Sequence, residues 1–359
     1  MSPATSPIRY TPEMETFQPD EKETEADLNE AFDTIPERTA ENYGHAVRSV
    51  HAKAHGIIKG VMRVHEGLAP DLAQGMFASA DEHPVYMRIS TNAGDILPDA
   101  VSLPRGLAMK VVDVSGDRLP DAEGSTQDFV MVNGPVFQAR TAAQFLKNLK
   151  LLAKTTDRME GTKVVMSSVL QTVNTALESV GVASPAIQSL GGAPNIDPLG
   201  ETYFSVTPFR YGDYVAKFRL KPVSNDLTAL SGKIIDTSVR EDAIRETVQA
   251  EMQNIKAVWE FQVQLCRDTE KQPIEDPTVE WREEHAPFVT VATVTAEPQD
   301  SWSDDKVHAV DEEMRFSVWT GLTAHQPLGN INRARRSAYQ HSSAFRQAFN
   351  RCPIHEPQA

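Results

Sequence analysis

The chain of 359 residues has only two cysteines, Cys266 and Cys352. So widely spaced a pair excludes a disulfide framework and any CxxC or zinc-ribbon spacing. A reducing, cytoplasmic setting is therefore expected. Long apolar runs are missing as well. Nowhere do about 18 apolar residues follow one another, so no segment is expected to span a membrane. The first residues, MSPATSPIRYTPEMETF, lack the apolar core of a signal peptide. Positive charge is scarce: 35 Lys and Arg face 50 Asp and Glu, a net charge of -15. That balance argues against a nucleic acid or anionic membrane held by the general field. Internal repeats and low-complexity blocks are absent. The GGAP at 191–194 is too short and isolated to cradle a phosphate.

What is present is the mix of a soluble globular protein, 40% hydrophobic and 24% charged. The length allows two domains or one large barrel with appended helices. Residues 1–25, rich in Pro, Ser, Thr and Glu, read as an arm; residues 26–359 read as one domain. Helical periodicity runs from Thr24 to about Ala54, divided at Pro36. Strands are expected over Gly56–Val64, Pro84–Thr91, Leu107–Val114 and Asp128–Asn133. No long crossover helix separates the first strands, which favours antiparallel pairing. Helices are expected over Thr141–Thr155 and 160–180, then a Pro/Gly-rich connection over Val182–Pro198. More strands follow over Thr202–Thr207, Tyr214–Pro222, Ala257–Cys266, Phe288–Val294 and 306–310. A helix from Ser238 to about Ile255 opens on a Ser-x-x-Glu signal. The fold class expected is α+β: one antiparallel β-barrel with inserted helices and a last long helix.

Four groups of residues carry chemistry. After the turn Pro327-Leu328-Gly329-Asn330, a run free of Pro and Gly puts Arg335, Tyr339 and Arg346 on one helical face. A free phenol ionises near pH ~10, and two cations beside it favour the tyrosinate, a hard ligand for ferric iron. The plain alternative is a solvated face. Next, Arg48-Ser-Val50-His51-Ala-Lys-Ala-His55 reads three ways. His51 and His55 make half a metal site on a helix, or Arg48 and His51 face a pocket with His51 as acid–base group, or His51 is structural. Third, Tyr86, Arg88 and Ser90 share one strand face, where an arginine inside a barrel needs an anionic partner. Last, Asn133 ends an apolar strand, where it orients a bound oxygen species or caps a turn.

In this order, the four groups resemble the haem catalase superfamily. Its Arg-Val-Val-His-Ala-Lys segment is similar to Arg48-Ser-Val50-His51-Ala-Lys53. Its Val-Arg-Phe-Ser-Thr and Asp-Pro-Arg-Gly-Phe-Ala-x-Lys stretches are similar to Met87-Arg88-Ile-Ser90-Thr91 and Leu103-Pro104-Arg105-Gly106-Leu107-Ala108-Met-Lys110. Its Asn-x-Pro-x-Phe is similar to Asn133-Gly-Pro135-Val-Phe137, and its Arg-x-x-x-Tyr helix to Arg335–Tyr339. The resemblance covers roughly residues 40–350. The wording His325-x-Pro327-Leu328-Gly329-x-Ile331-Asn332-Arg333-x-Arg335 resembles the small catalase-related peroxidases, kin to coral allene oxide synthases, and implies a minimal form without a C-terminal domain.

The resemblance implies haem b with Tyr339 as axial iron ligand, supported by Arg335. It implies His51 as the acid–base group, Ser90 behind it and Asn133 orienting peroxide. Arg48, Arg88 and Arg346 would neutralise propionates, and Val50, Phe137 and Phe145 would line the porphyrin. An ungapped match puts Val132 where the catalytic Asn stands; Asn133 is preferred because valine cannot make the hydrogen bond. Allene oxide synthases carry Thr before the distal His; here Val50, as in catalases, favours peroxide chemistry. Leu107 replaces an aromatic residue. The implied substrates are peroxide with an organic reductant, or a fatty acid, and the implied assembly is a homodimer. The alternatives are a haem enzyme acting on fatty acids or their hydroperoxides, and a non-catalytic haem carrier.

Overall fold

Short alternating runs bounded by Gly, Pro or Asp do become antiparallel strands in the computed structural model, which describes residues 6–156 and 194–357. In chain order the strands are β1 (Ala54–Val64), β2 (Glu82–Thr91), β3 (Arg105–Val111), β4 (Gln127–Val132), β5 (Tyr203–Phe204), β6 (Phe209–Tyr211), β7 (Tyr214–Pro222), β8 (Ala257–Leu265) and β9 (Val289–Ala296). The longer helices are α1 (Glu21–Tyr43), α2 (Ala142–Thr156), α3 (Ala243–Met252) and α4 (Asn330–Asn350).

Neighbours around the sheet run β5-β4-β3-β2-β1-β9-β8-β7, and β5 also pairs with β7. Eight strands thus close into a barrel. The ninth, β6, folds back on β7 through a two-residue hairpin at Gly212, whose φ of 60° suits a primed turn. The closing seam is thin. Val132↔Phe204 is the one β4–β5 pair, and Tyr203↔Leu220 and Phe204↔Arg219 complete it.

The period of two sorts the side chains. Met87, Ile89, Leu107, Met109, Phe129, Met131, Phe218 and Phe261 fill the barrel. The alternate residues face outward, so Arg88 and Ser90 lie on the outer wall and not inside the barrel as expected. Helices and the segment 307–316 cover that wall: Val310, Met314 and Phe316 pack on Ile57, Tyr86 and Ala108. A second apolar layer, with Leu28 and Phe32 of α1, Ala142 and Leu146 of α2 and Ile331 of α4, joins the three helices.

Several expectations are corrected. Helix α1 passes through Pro36 without a break, ending at Gly44 with φ 67°. Helix α3 begins at Ala243, not Ser238, because Ser238 hydrogen-bonds Asp236 and the helix start is capped from afar: Ile244 N donates to Asp99 Oδ2 at 2.8 Å. Residues 304–312, expected to contain a strand, are helical turns that open after Ser303 with two aspartates in the first turn. The helix expected over 160–180, and most of the 182–198 connection, lie outside the described residues. Among the described residues no helix is long and apolar enough to cross a membrane.

Candidate active site

Helix α1 ends before the Arg48–His55 stretch, which instead runs irregularly from Gly44 into β1. The helical half-site for a metal therefore does not form. His55 turns away, buried, with Nε2 sharing a hydrogen bond of 2.6 Å with Thr91 Oγ1. Among the described residues no group of His, Cys, Asp or Glu is arranged to hold a metal. Tyrosine lies outside that set of ligands.

His51 adopts φ 55°, a left-handed conformation that a side chain rarely takes. The turn lays its ring against the β2–β3 wall. His51 Nδ1 and Ser90 Oγ are 3.0 Å apart. Beside them is Gly106, paired with Ser90 across the sheet. A Cβ on Gly106 would stand 2.7 Å from His51 Nδ1 and closer still to Cε1. The glycine is thus the cradle of the imidazole. Burial, with the fields of Arg88, Arg335 and Arg48, pushes the His51 pKa down to about 3. The ring is neutral at ordinary pH, and Arg335 is near enough to act on it.

Arg335 belongs to α4. Its Nη2 donates to the Tyr339 hydroxyl at 2.8 Å, and Nη1 reaches Asn332 Oδ1 at 3.2 Å. The i, i+4 spacing expected from sequence makes this contact within one helical face. Val50, Phe137, Phe145, Ala334 and Ala338 are half-buried apolar neighbours along the α1–α2–α4 layer. The Phe137 and Phe145 rings lie 5.5 Å apart.

Arg48, Arg88 and Arg346 converge on residues 310–314. Arg48 Nη1 and Arg88 Nε donate to Asp311 Oδ1 at 2.6 and 2.7 Å. Arg346 donates to the carbonyls of Glu312 and Met314 at 2.9 and 3.4 Å. Burial works against charge on Asp311, yet Arg88 and Arg48 hold its carboxyl below the usual range. Burial, then Arg346 and Arg88, drive the Arg48 guanidinium well down. Asp311, with Glu312 acting on Arg48 and Arg346 through its field, faces three guanidiniums, which leaves the cluster short of negative charge. A group bearing two carboxylates would restore the balance, as haem does. The donor set therefore fits haem: a phenol with its guanidinium on α4, an imidazole cradled on the barrel wall, and a cation cluster short of negative charge.

Asn133 is engaged elsewhere. Its Oδ1 accepts from Arg105 N at 2.9 Å and its Nδ2 donates to Glu201 Oε1 at 2.7 Å. Burial raises that glutamate to about 7, against Asn133 and Arg105. Val132, the ungapped counterpart, pairs with Gly106 and so occupies the row Ser90–Gly106–Val132 under His51. Sequence reasoning missed Asp311 and Glu201. Neither has a motif; each gains its role from residues more than 60 positions away.

Solved catalases share this architecture. A fungal catalase superposes with TM-score 0.60 at 16% identity, over 87% of this chain and 62% of that one. Catalase A from Saccharomyces cerevisiae gives 0.57 at 15% identity, over 88% and 64%. A bacterial catalase gives 0.56 at 16%, over 88% and 62%. The chain thus spans a little under two thirds of the length of these proteins. No curated protein matches it. The family model described as catalase matches residues 35–311, a stretch that takes in His51, Ser90, Gly106 and Asp311 and stops short of α4. With three quarters of its length under that match and the barrel built as catalases build it, the chain belongs to the catalase family.

Proposed function

We propose that this protein is a haem-dependent enzyme that breaks down hydrogen peroxide and organic hydroperoxides, a small catalase-related peroxidase. One observation carries the reading. The Tyr339–Arg335 pair on α4 and the His51–Ser90 pair on the barrel wall lie within each other's field, with an apolar layer alongside and a cation cluster short of anions at one edge. When bound, haem b would supply the two electrons that the O–O bond needs in order to break.

The residues divide the remaining work. Tyr339 would ligate the iron, and Arg335 holds that oxygen and balances negative charge on it. Arg48, Arg88 and Arg346 would bind the propionates. Val50, Phe137 and Phe145 would line the ring and its approach. With Nδ1 donating to Ser90 Oγ, His51 keeps a lone pair on Nε2. That nitrogen would take the proton of the hydroperoxide and return it to the departing oxygen. Burial of the ring, which favours its neutral form, would favour the return of that proton. The chain is also proposed to work in the cytoplasm as a homodimer.

A second reading rests on Val132. The row beneath His51 ends in an isopropyl group, and the Asn133 amide is spent on Arg105 and Glu201. With Val50 and Phe137 near, an alkyl hydroperoxide or fatty-acid substrate suits such a wall better than hydrogen peroxide does. The deciding test is the absorption spectrum of the purified protein, followed by turnover of hydrogen peroxide against a fatty-acid hydroperoxide. Haem absorbance with turnover lost in His51→Ala supports the assignment. An unchanged haem spectrum in Tyr339→Phe overturns the ligand.

A further inference from the structure

Strands β7 and β8 carry a second buried polar group that the reading above does not use. Lys217 stands on the outer face of β7, opposite Gln264 of β8. Gln264 Nε2 donates to the Trp281 and Ala286 carbonyls, at 2.7 Å each, and so fastens the Trp281 segment over this strand pair. The Trp281 ring covers the ammonium, with Nζ 5.0 Å from its centre. Cys266, Val215, Ile274, Leu328 and the arm residues Ile8 and Tyr10 close the space around the indole.

Inside this enclosure, buried donors are left over. Lys217, Trp281 and Gln272 are 4%, 3% and 0% exposed. Among the described residues, Lys217 Nζ, Trp281 Nε1 and Gln272 Nε2 have no acceptor. The orientation of the Gln272 amide is not free, because its Oε1 accepts from the Arg267 and Asp268 main-chain nitrogens at 2.7 and 3.3 Å. Gln272 also borders Cys266, whose thiol donates to its carbonyl at 3.8 Å. A buried donor left without an acceptor is costly, and an ammonium more so. Three such donors, one of them cationic, lie along the Trp281 segment and its Cys266 border and mark the place of a missing acceptor. Asp276 and Glu280 act on Lys217 only through their fields, with Cys266, and burial leaves its pKa near 7. A water there would bring two hydrogens of its own to be satisfied. A small anion would bring none.

We propose that Lys217 and Trp281, with Gln272 as a third donor, form a buried site for a single halide ion, chloride in the cell. The site is walled by apolar residues and closed by the N-terminal arm, which excludes larger anions. The closest charge it offers is the ammonium, so the ion and the protonated lysine bind as a pair.

Bromide is the probe. Crystals of the full chain soaked in bromide are expected to show an anomalous peak within hydrogen-bond distance of Lys217 Nζ. In solution, bromide is expected to raise the melting temperature above that in sulfate of equal ionic strength. Lys217→Met is expected to abolish that difference, and Trp281→Phe, which keeps the ring and loses the N–H, to reduce it. These variants retain the His51 site, so any halide effect there cancels in the comparison. No peak at Lys217, or the same bromide response in Lys217→Met, overturns the site. If Lys217→Met fails to fold, the anomalous map of the unaltered chain decides alone.

Discussion

Ser90 Oγ stands 3.0 Å from His51 Nδ1 although 39 residues separate them in the chain. The contact sets which imidazole nitrogen is free. Replacing Ser90 by Ala is expected to leave the barrel intact and lower peroxide turnover by roughly tenfold, since the ring loses its anchor and not its proton chemistry. Steady-state rates with hydrogen peroxide and with cumene hydroperoxide check this. An unaltered rate for both would separate Ser90 from the reaction.

Gly106→Ala is a sharper probe of the same ring. Its methyl group would meet the imidazole at 2.7 Å or less, while a methyl on Gly134 would meet nothing within 4 Å. Gly106→Ala is expected to displace His51 and reduce turnover on the order of 10²–10⁴-fold. Gly134→Ala is the control and is expected to be neutral. Equal activity in the two variants would show that the cradle does not matter.

Asp311→Asn tests the cation cluster. Without its carboxylate, Arg48, Arg88 and Arg346 face one another unbalanced, a loss of about 3–5 kcal/mol for a buried pair. Bound haem should restore much of that balance through its propionates. Melting curves with and without haem are expected to show a larger deficit in the haem-free protein. A deficit of the same size in both would mean that the cluster is not where the propionates bind.

Acid stability has opposing contributions. His51 and His325 have pKa values near 3 through burial, and burial carries His55 well down. Unfolding lets all three protonate below pH ~6.5, so each removes about 1.4 kcal/mol per pH unit on acidification. Burial raises Asp128, Asp197 and Glu201 to about 7. These hold protons in the folded state that the unfolded chain releases above pH ~4, so each adds stability as pH falls from 7 to 4. The two sets nearly cancel over that window, and below pH ~4 the histidine loss is joined by that of carboxylates held below their usual range, Asp311 and Glu356. Urea unfolding is expected to show a plateau from pH ~6.5 to ~4.5 and a steep fall below. Glu201→Gln is expected to tilt the plateau downward toward acid by about 1.4 kcal/mol per unit; an unchanged slope would place the Glu201 proton elsewhere.

Arg333 ties the arm to α4. It reaches Glu15 at 2.7 Å, Glu21 at 2.7 Å and Glu275 at 3.0 Å. Arg333→Ala is expected to leave three carboxylates facing one another and to expose the arm before α1 to limited proteolysis. An unaltered digestion pattern would show that the arm is held by its β7 and β8 contacts alone.

The Arg335–Tyr339 contact was legible in the sequence because it depends on i, i+4 spacing, and the shared face of Arg88 and Ser90 because it depends on a strand's two-residue period. Asp311 was not. It lies in a Val-Asp-Glu-Glu run that read as a strand end, and only tertiary folding brings it to Arg48 and Arg88. The helix start at Ala243 was hidden for the same reason, since its cap is Asp99. Arg88 was assigned to the wrong side of the wall. Alternation shows which residues share a face, and only the closed barrel shows which face is inside. Asn133 and Val132 turn on one position of register: a match without a gap pointed to Val132, and the need for a hydrogen bond pointed to Asn133.

Six of the barrel's eight seams are longer ladders, and the two that β5 makes, with β4 and with β7, rest on Tyr203 and Phe204 alone. A closed sheet yields first where its hydrogen bonds are fewest. Amide exchange should therefore spread from β5, and the breach would open beside Val132, at the end of the row that supports His51. Motion at this short strand would loosen the floor beneath the His51 ring before it disturbed the aromatic interior.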